Sequence, residues 1–194
     1  DRLYSSAFPS DQIAGRLLPE HAAASGLPVG IPVAVGAFDA HHGAVGCGVR
    51  PGVLVKIMGT SSCDIGVVPD DGSVQDVSGL CGIVPGSVLL GMLGLEAGQS
   101  AVGDLFNWFV GSLTPPEYFG ADVHTKLTSE AEKLRPGESG LLALDWNNGN
   151  RTVLVDPQLS GLLVGQTLHT TAPEVYRALV EATAFGALRI VVDV

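Results

Sequence analysis

Short runs of branched apolar residues, each broken by glycine, proline or aspartate, fill the first half of the chain. They lie at 31–35, 53–58, 63–68, 80–84 and 88–93. Arg50-Pro51-Gly52, Asp70-Asp71-Gly72 and Pro85-Gly86 separate several of them, and the four runs from residue 53 onward predict a meander of short strands, antiparallel in part. Ahead of it, Pro19–Ser25 reads as a short helix, with proline in its first turn, three alanines and Gly26 as its stop. Then the period changes. Residues 100–110 place Val102, Leu105, Phe106 and Phe109 on one helical face. A second helix is expected over 122–134, closed by Pro136-Gly137. Strands at 141–144 and 153–155 flank the Asn/Gly turn that runs from Asn147 to Arg151. The last helix begins near Ala172. Thr171 and Glu174 have capping-box spacing, and Tyr176, Leu179, Val180, Ala187, Ile190 and Val191 follow as its apolar stripe. Strands first and helices after imply a mixed α/β layer architecture.

Composition narrows the class. Of 194 residues, 46% are hydrophobic, 15% are charged and 26 are glycine, which suits a tight-turned globular protein. A net charge of −10 argues against nucleic acid, whose phosphates require a basic face. Cys47, Cys63 and Cys81 form no C-x-x-C pair and read as reduced thiols in a cytoplasmic protein. No apolar stretch reaches the ~18 residues of a membrane span. The chain opens on Asp1-Arg2-Leu3, and no stop signal follows Val191, so a segment of a longer protein is expected.

Asp39 is the first candidate for chemistry. It follows the strand-like stretch Ile31-Pro32-Val33-Ala34-Val35, among small residues, where chains of this type carry function. It suits a general base that accepts a hydroxyl proton late in phosphoryl transfer, and equally a cap for a helix starting at Ala40. The neighbouring His41 and His42 diverge on a helix and have no companion ligand cluster, so no metal site is read there, although a metal-dependent hydrolase on Asp39, His41 and His42 remains a third option. Gly59-Thr60-Ser61-Ser62 ends another strand-like run and offers backbone N–H and hydroxyl groups to phosphate, without the lysine and spacing of a Walker loop. Ser61 has no nucleophile elbow around it. Gly94-Leu95-Glu96-Ala97-Gly98-Gln99-Ser100 stands at a strand-to-helix junction, where amides meet anions. Glu96 suits a polyol contact or the positive helix end. Phe106, Trp108, Phe109 and Trp146 are expected in the core.

Three stretches together resemble the FGGY carbohydrate kinases. They are Gly36-Ala37-Phe38-Asp39-Ala40-His41, Lys56-Ile57-Met58-Gly59-Thr60-Ser61-Ser62-Cys63-Asp64 and Gly94-Leu95-Glu96-Ala97-Gly98-Gln99-Ser100-Ala101. Leu144-Asp145-Trp146, Asn148-Gly149-Asn150-Arg151 and Glu181-Ala182-Thr183-Ala184-Phe185-Gly186 resemble the members that act on L-ribulose, from which His42 and Asn147 depart. The resemblance implies an actin-like, ribonuclease-H-like kinase fold with a mixed sheet and flanking helices, incomplete in this chain. Residues 1–46 would close the N-terminal domain, and 47–194 would open the C-terminal one. It implies phosphorylation of L-ribulose at C5 by ATP with Mg2+ carried on the nucleotide, and it admits a homodimer. Asp39 would be the base, Asp39 and Glu96 would touch the sugar, and Gly59, Thr60, Ser61, Gly98 and Gln99 would bind the nucleotide. Another kinase of the family, acting on xylulose or a related polyol, and a non-catalytic actin-like module are the alternatives.

Overall fold

A computed structural model describes residues 8–193. It divides into two compact units. One comprises the described residues up to Val55 with Ile65–Val74 and Val84–Gly94; the other comprises Lys56–Asp64, Gln75–Ile83 and the chain from Leu95 onward.

In the first unit, β1 (Ile13–Arg16) pairs antiparallel with β2 (Pro32–Ala34), Ile13 opposite Ala34 and Arg16 opposite Pro32. The helix α1 (Pro19–Ser25) lies between them in sequence. Its start and stop match the proline and glycine signals, and Gly26 closes it in the left-handed conformation (φ 72°) with its N–H on the Ala22 carbonyl. Every residue of β1 and β2 is exposed, so the apolar run before Asp39 is an edge pair rather than the buried strand its composition suggests. Pro32 fits such an edge. Then α2 (Asp39–Gly46) buries Ala40, His41 and Ala44 and leaves Asp39 and His42 on its exposed side.

Four strands, β3 (Val55–Met58), β4 (Ser62–Pro69), β5 (Gly82–Pro85) and β6 (Met92–Ala97), form a sheet in the order β3-β4-β6-β5. The two inner strands carry most of its buried positions, Ser62, Asp64, Ile65 and Val67 on β4 and Leu93 and Ala97 on β6, and the edge strand β3 adds Val55. The expected strand at 88–93 begins only at Met92. Gly86 (φ 69°) and Gly91 (φ 68°) bound a turn whose N–H of Gly86 reaches the Met92 carbonyl, and Val88 is buried from that turn.

The second unit adds α3 (Gly103–Ser112), a 3-10 turn at Pro116–Tyr118, α4 (Val123–Ala131), the antiparallel pair β7 (Leu142–Leu144) and β8 (Leu162–Val164), and α5 (Ala172–Asp193). Helical spacing builds its core: Leu105 and Phe109 from α3, Val123, Leu127 and Ala131 from α4, Tyr176 and Leu179 from α5. The Tyr176 ring centroid lies 5.4 Å from that of Phe106 and 6.1 Å from that of Phe109. Removing Leu127, fully buried, from water is worth roughly 1.5–3 kcal/mol. Trp108, expected in this core, is 45% exposed, because the α3 face that meets α4 and α5 is taken by Leu105 and Phe109. At the start of α5 only half of the capping box forms. The Glu174 carboxylate accepts from the Thr171 N–H (2.7 Å) and from the Thr171 hydroxyl (2.8 Å). Those two bonds hold the Glu174 pKa below the ordinary glutamate value.

The expected strand at 153–155 does not form. Val153 (φ 118°) and Val155 (φ 53°) both have positive φ, and β7 pairs instead with the three-residue run at 162–164. Positive φ at a β-branched residue is strained by about 1–3 kcal/mol and persists only where the surroundings impose it.

Candidate functional site

Asp39 belongs to the first unit, the remaining candidates to the second. Asp39 is the first residue of α2, after Phe38 in extended conformation (ψ 145°) at the cap position. Its Oδ1 accepts the N–H of Ala40 at 2.8 Å. Helix capping by a side chain requires an N–H two or three residues further on, so Asp39 steadies its own peptide rather than capping the helix. The carboxylate is exposed. The Phe38 ring meets the His41 imidazole edge-on at 5.6 Å, and both line an open concavity of about 440 Å³ with Gly36 and Ala37. Among the described residues, no group of three or more His, Cys, Asp or Glu stands where it would hold a metal ion.

In the second unit the turn after β3 meets the beginning of α3. The carbonyl of Thr60 accepts the N–H groups of Val102 (2.8 Å) and Asp104 (3.1 Å), and that of Gly59 accepts the N–H of Gly103 (3.0 Å). First-turn amides, which the strand-to-helix junction was expected to offer to an anion, are therefore spent on fixing the turn. Gly59 and Thr60 are exposed and Ser61 is half-buried.

Gly98 and Gln99 are buried, and their N–H groups are engaged inside the protein, Gly98 with Thr152 Oγ1 (2.9 Å) and Gln99 with Ser62 Oγ (3.1 Å). Gln99 is the centre of a buried polar network. Its Oε1 accepts from Lys56 Nζ (3.0 Å), and its Nε2 donates to Asp145 Oδ2 (2.6 Å) and to the Thr183 carbonyl of α5 (2.8 Å). Lys56 Nζ also reaches both oxygens of Asp64 (2.9 and 3.0 Å) and Ser62 Oγ (3.2 Å). Asp64 is only 2% exposed, so this lysine supplies the charge that makes its burial tolerable. Burial raises the Asp145 pKa; the bond from Gln99 and the Lys56 charge act the other way without cancelling it.

Glu96 lies near the end of β6, and Cys63 Sγ donates to its Oε1 at 3.8 Å. Arg151, expected in a simple hairpin turn, turns inward instead. Its Nη2 donates to the Ser62 carbonyl, to Cys63 Sγ (3.4 Å) and to the Ala97 carbonyl (3.5 Å). A Cβ at Gly98 would run into both the Ser62 carbonyl and Arg151 Nη2, so only glycine permits this approach. Lys56, Cys63, Asp145, Arg151 and Thr152 thus join the candidate residues. The only sequence signal of Lys56, Cys63, Asp145 and Arg151 is membership of the motif stretches, and Thr152 has none, since the partners of these residues lie elsewhere in the chain.

A sequence profile described as the FGGY family of carbohydrate kinases, C-terminal domain, matches residues 54–194. The ribulokinase of Halalkalibacterium halodurans is 50% identical over 98% of this chain and 34% of its own length. That of Mycolicibacterium smegmatis is 48% identical over 93% of this chain and 33% of its length. The chain spans about a third of the length of the curated relatives it matches. Among solved structures, xylulose kinase from Rhodospirillum rubrum superposes with a TM-score of 0.75 at 29% identity, over 96% of this chain and 36% of that one. Plasmodium falciparum glycerol kinase with ADP shares the fold at 18% identity and a TM-score of 0.67, over 95% of this chain and 35% of that one. These likenesses place the mixed α/β architecture in the actin-like kinase class.

Proposed function

The chain belongs to the FGGY family of carbohydrate kinases, and we propose that the protein it forms part of transfers the terminal phosphoryl group of ATP to the C5 hydroxyl of L-ribulose. What supports this reading is the 50% identity to a ribulokinase over 98% of the chain. On this reading residues 1–46 end one domain and 47–194 begin the next.

Asp39 accepts the proton of the attacking hydroxyl. A carboxylate is far too weak a base to ionise an alcohol beforehand, so the proton moves late, as the oxygen bonds to phosphorus. An exposed carboxylate anchored through one oxygen by the Ala40 N–H suits that task, since its second oxygen is left for a substrate. Glu96 hydrogen-bonds a sugar hydroxyl. Gly59, Thr60 and Ser61 meet the phosphates. Gly98 and Gln99 serve the same nucleotide side by holding the turn, their own polar groups being engaged. Mg2+ would be carried on the ATP phosphates and would offset their charge there. We place the reaction in the cytoplasm, where the three unpaired cysteines would stay reduced. Size-exclusion chromatography decides between monomer and homodimer.

The test is kcat/KM of the full-length protein with ATP across the pentuloses. L-ribulose is expected to lead D-xylulose by at least about tenfold. The reverse order would transfer the assignment to a xylulose kinase, and no ADP formation with any pentulose, together with no ATP binding by calorimetry, would leave a non-catalytic module.

A further inference from the structure

We infer that Arg151 and Cys63 are positioning residues for Glu96, and that Arg151 in addition fixes the Gly59–Ser61 turn, so that one half-buried guanidinium sets both the sugar contact and the phosphate contact. The inference rests on the kinase reading above and adds to it two residues that act through others.

The hydrogen bonds have a direction. Arg151 Nη2 carries only donors, so at 3.4 Å it must donate to the Cys63 sulfur. With its sulfur accepting from that side, the thiol proton is left to point at Glu96 Oε1, 3.8 Å away. The carboxylate of Glu96 is therefore steered by a donor whose own orientation is set by a cation. The same Nη2 donates to the Ser62 carbonyl, directly after the turn, and to the Ala97 carbonyl, directly after Glu96. A single group thus spans the two places where a ligand is expected.

Two further features show that the fold is built around this approach. Gly98 has no Cβ where one would collide with Arg151 Nη2, and Thr152 Oγ1 takes the Gly98 N–H at 2.9 Å. The backbone that follows has positive φ at Val153 (118°) and Val155 (53°), strained conformations for β-branched residues. Arg151 Nε is buried without a partner, so the side chain is held by Nη2 and its surroundings and not by a full set of hydrogen bonds.

The experiment is a set of variants of the full-length protein, read as separate KM values for L-ribulose and ATP together with the thermal midpoint. Cys63→Ala is expected to raise the L-ribulose KM about fivefold, the equivalent of one net hydrogen bond, while leaving the ATP KM unchanged. Cys63→Ser, which still accepts and donates, should restore the L-ribulose KM to within about twofold. Arg151→Lys should raise both KM values, because a point charge cannot serve the carbonyl and the sulfur together. A general loss of structure would instead lower the midpoint and move both KM values in all three variants. Cys63→Ala with an unchanged L-ribulose KM, or Cys63→Ser no better than alanine, overturns the inference while the kinase reading stands. Glu96→Gln with an unchanged L-ribulose KM removes Glu96 from the sugar site and takes the inference with it.

Discussion

The helix that carries Asp39 and the polar network around Gln99 are built in opposite ways. Around Asp39 the chain is local and exposed: β1 and β2 bury nothing, α2 begins without a side-chain cap, and the carboxylate's hydrogen bond is to its own neighbour. Around Gln99, side chains from β3, β4 and the loop after β7 converge with a backbone carbonyl of α5, and almost every polar atom is engaged. On the proposed reading, the difference separates two demands. A group that must exchange a proton with a small molecule needs access and few competing partners. A turn that must hold phosphate oxygens at fixed positions needs to be immobilised from behind, which takes buried hydrogen bonds over long sequence separations.

This contrast is broken most severely at Lys56. Lys56→Met leaves Asp64 buried with no cation and is expected to cost about 3–5 kcal/mol in urea unfolding. His42→Ala, on the exposed side of α2, should stay within about 0.5 kcal/mol. Similar losses for the two would remove the distinction between the regions.

A smaller effect comes from Asp145 and depends on pH. Burial raises its pKa above the unfolded value, so the folded state holds the proton more tightly. Its contribution to stability is complete below the unfolded pKa of about 3.9 and is lost as pH rises through the raised value. Asp145→Asn keeps an acceptor for Gln99 and does not ionise. Thermal midpoints measured from pH 3 upward should show the wild type falling relative to this variant as pH increases past ~4. A constant difference would mean that Asp145 ionises as freely as an exposed carboxylate.

The smallest effect lies at the start of α5. Glu174→Ala removes both bonds to Thr171 and should cost about 0.5–1 kcal/mol. Because the Glu174 pKa is lowered, that contribution is present above the ordinary glutamate pKa and disappears as pH falls through the lowered one. At α2, where Phe38 provides no such bond, Phe38→Ala should show no comparable acid-dependent step.

Local signals were legible in the residues themselves. Pro19 and Gly26 bound α1, the apolar periods of α3 and α5 and the Pro136-Gly137 stop after α4 mark the helices that share a core, and Asp39 stands where a strand gives way to a helix. What escaped depends on distant partners. Nothing near Gln99 says that its amide will be shared between Lys56, 43 residues away, and Asp145, 46 residues away. Nor does the Asn/Gly composition before Arg151 show that the guanidinium will turn inward, or that Val153 and Val155 will take positive φ. Periodicity favoured a strand there, and tertiary contacts overrode it.

The central claim is that the exposed carboxylate at the head of α2 does the chemistry while the buried network only holds the ligands. It is tested most directly by the turnover number of the full-length Asp39→Asn protein with saturating L-ribulose and MgATP. A fall of about 10²–10⁴ in kcat, with an unchanged thermal midpoint, is the expected result. Turnover equal to that of the wild type would contradict it.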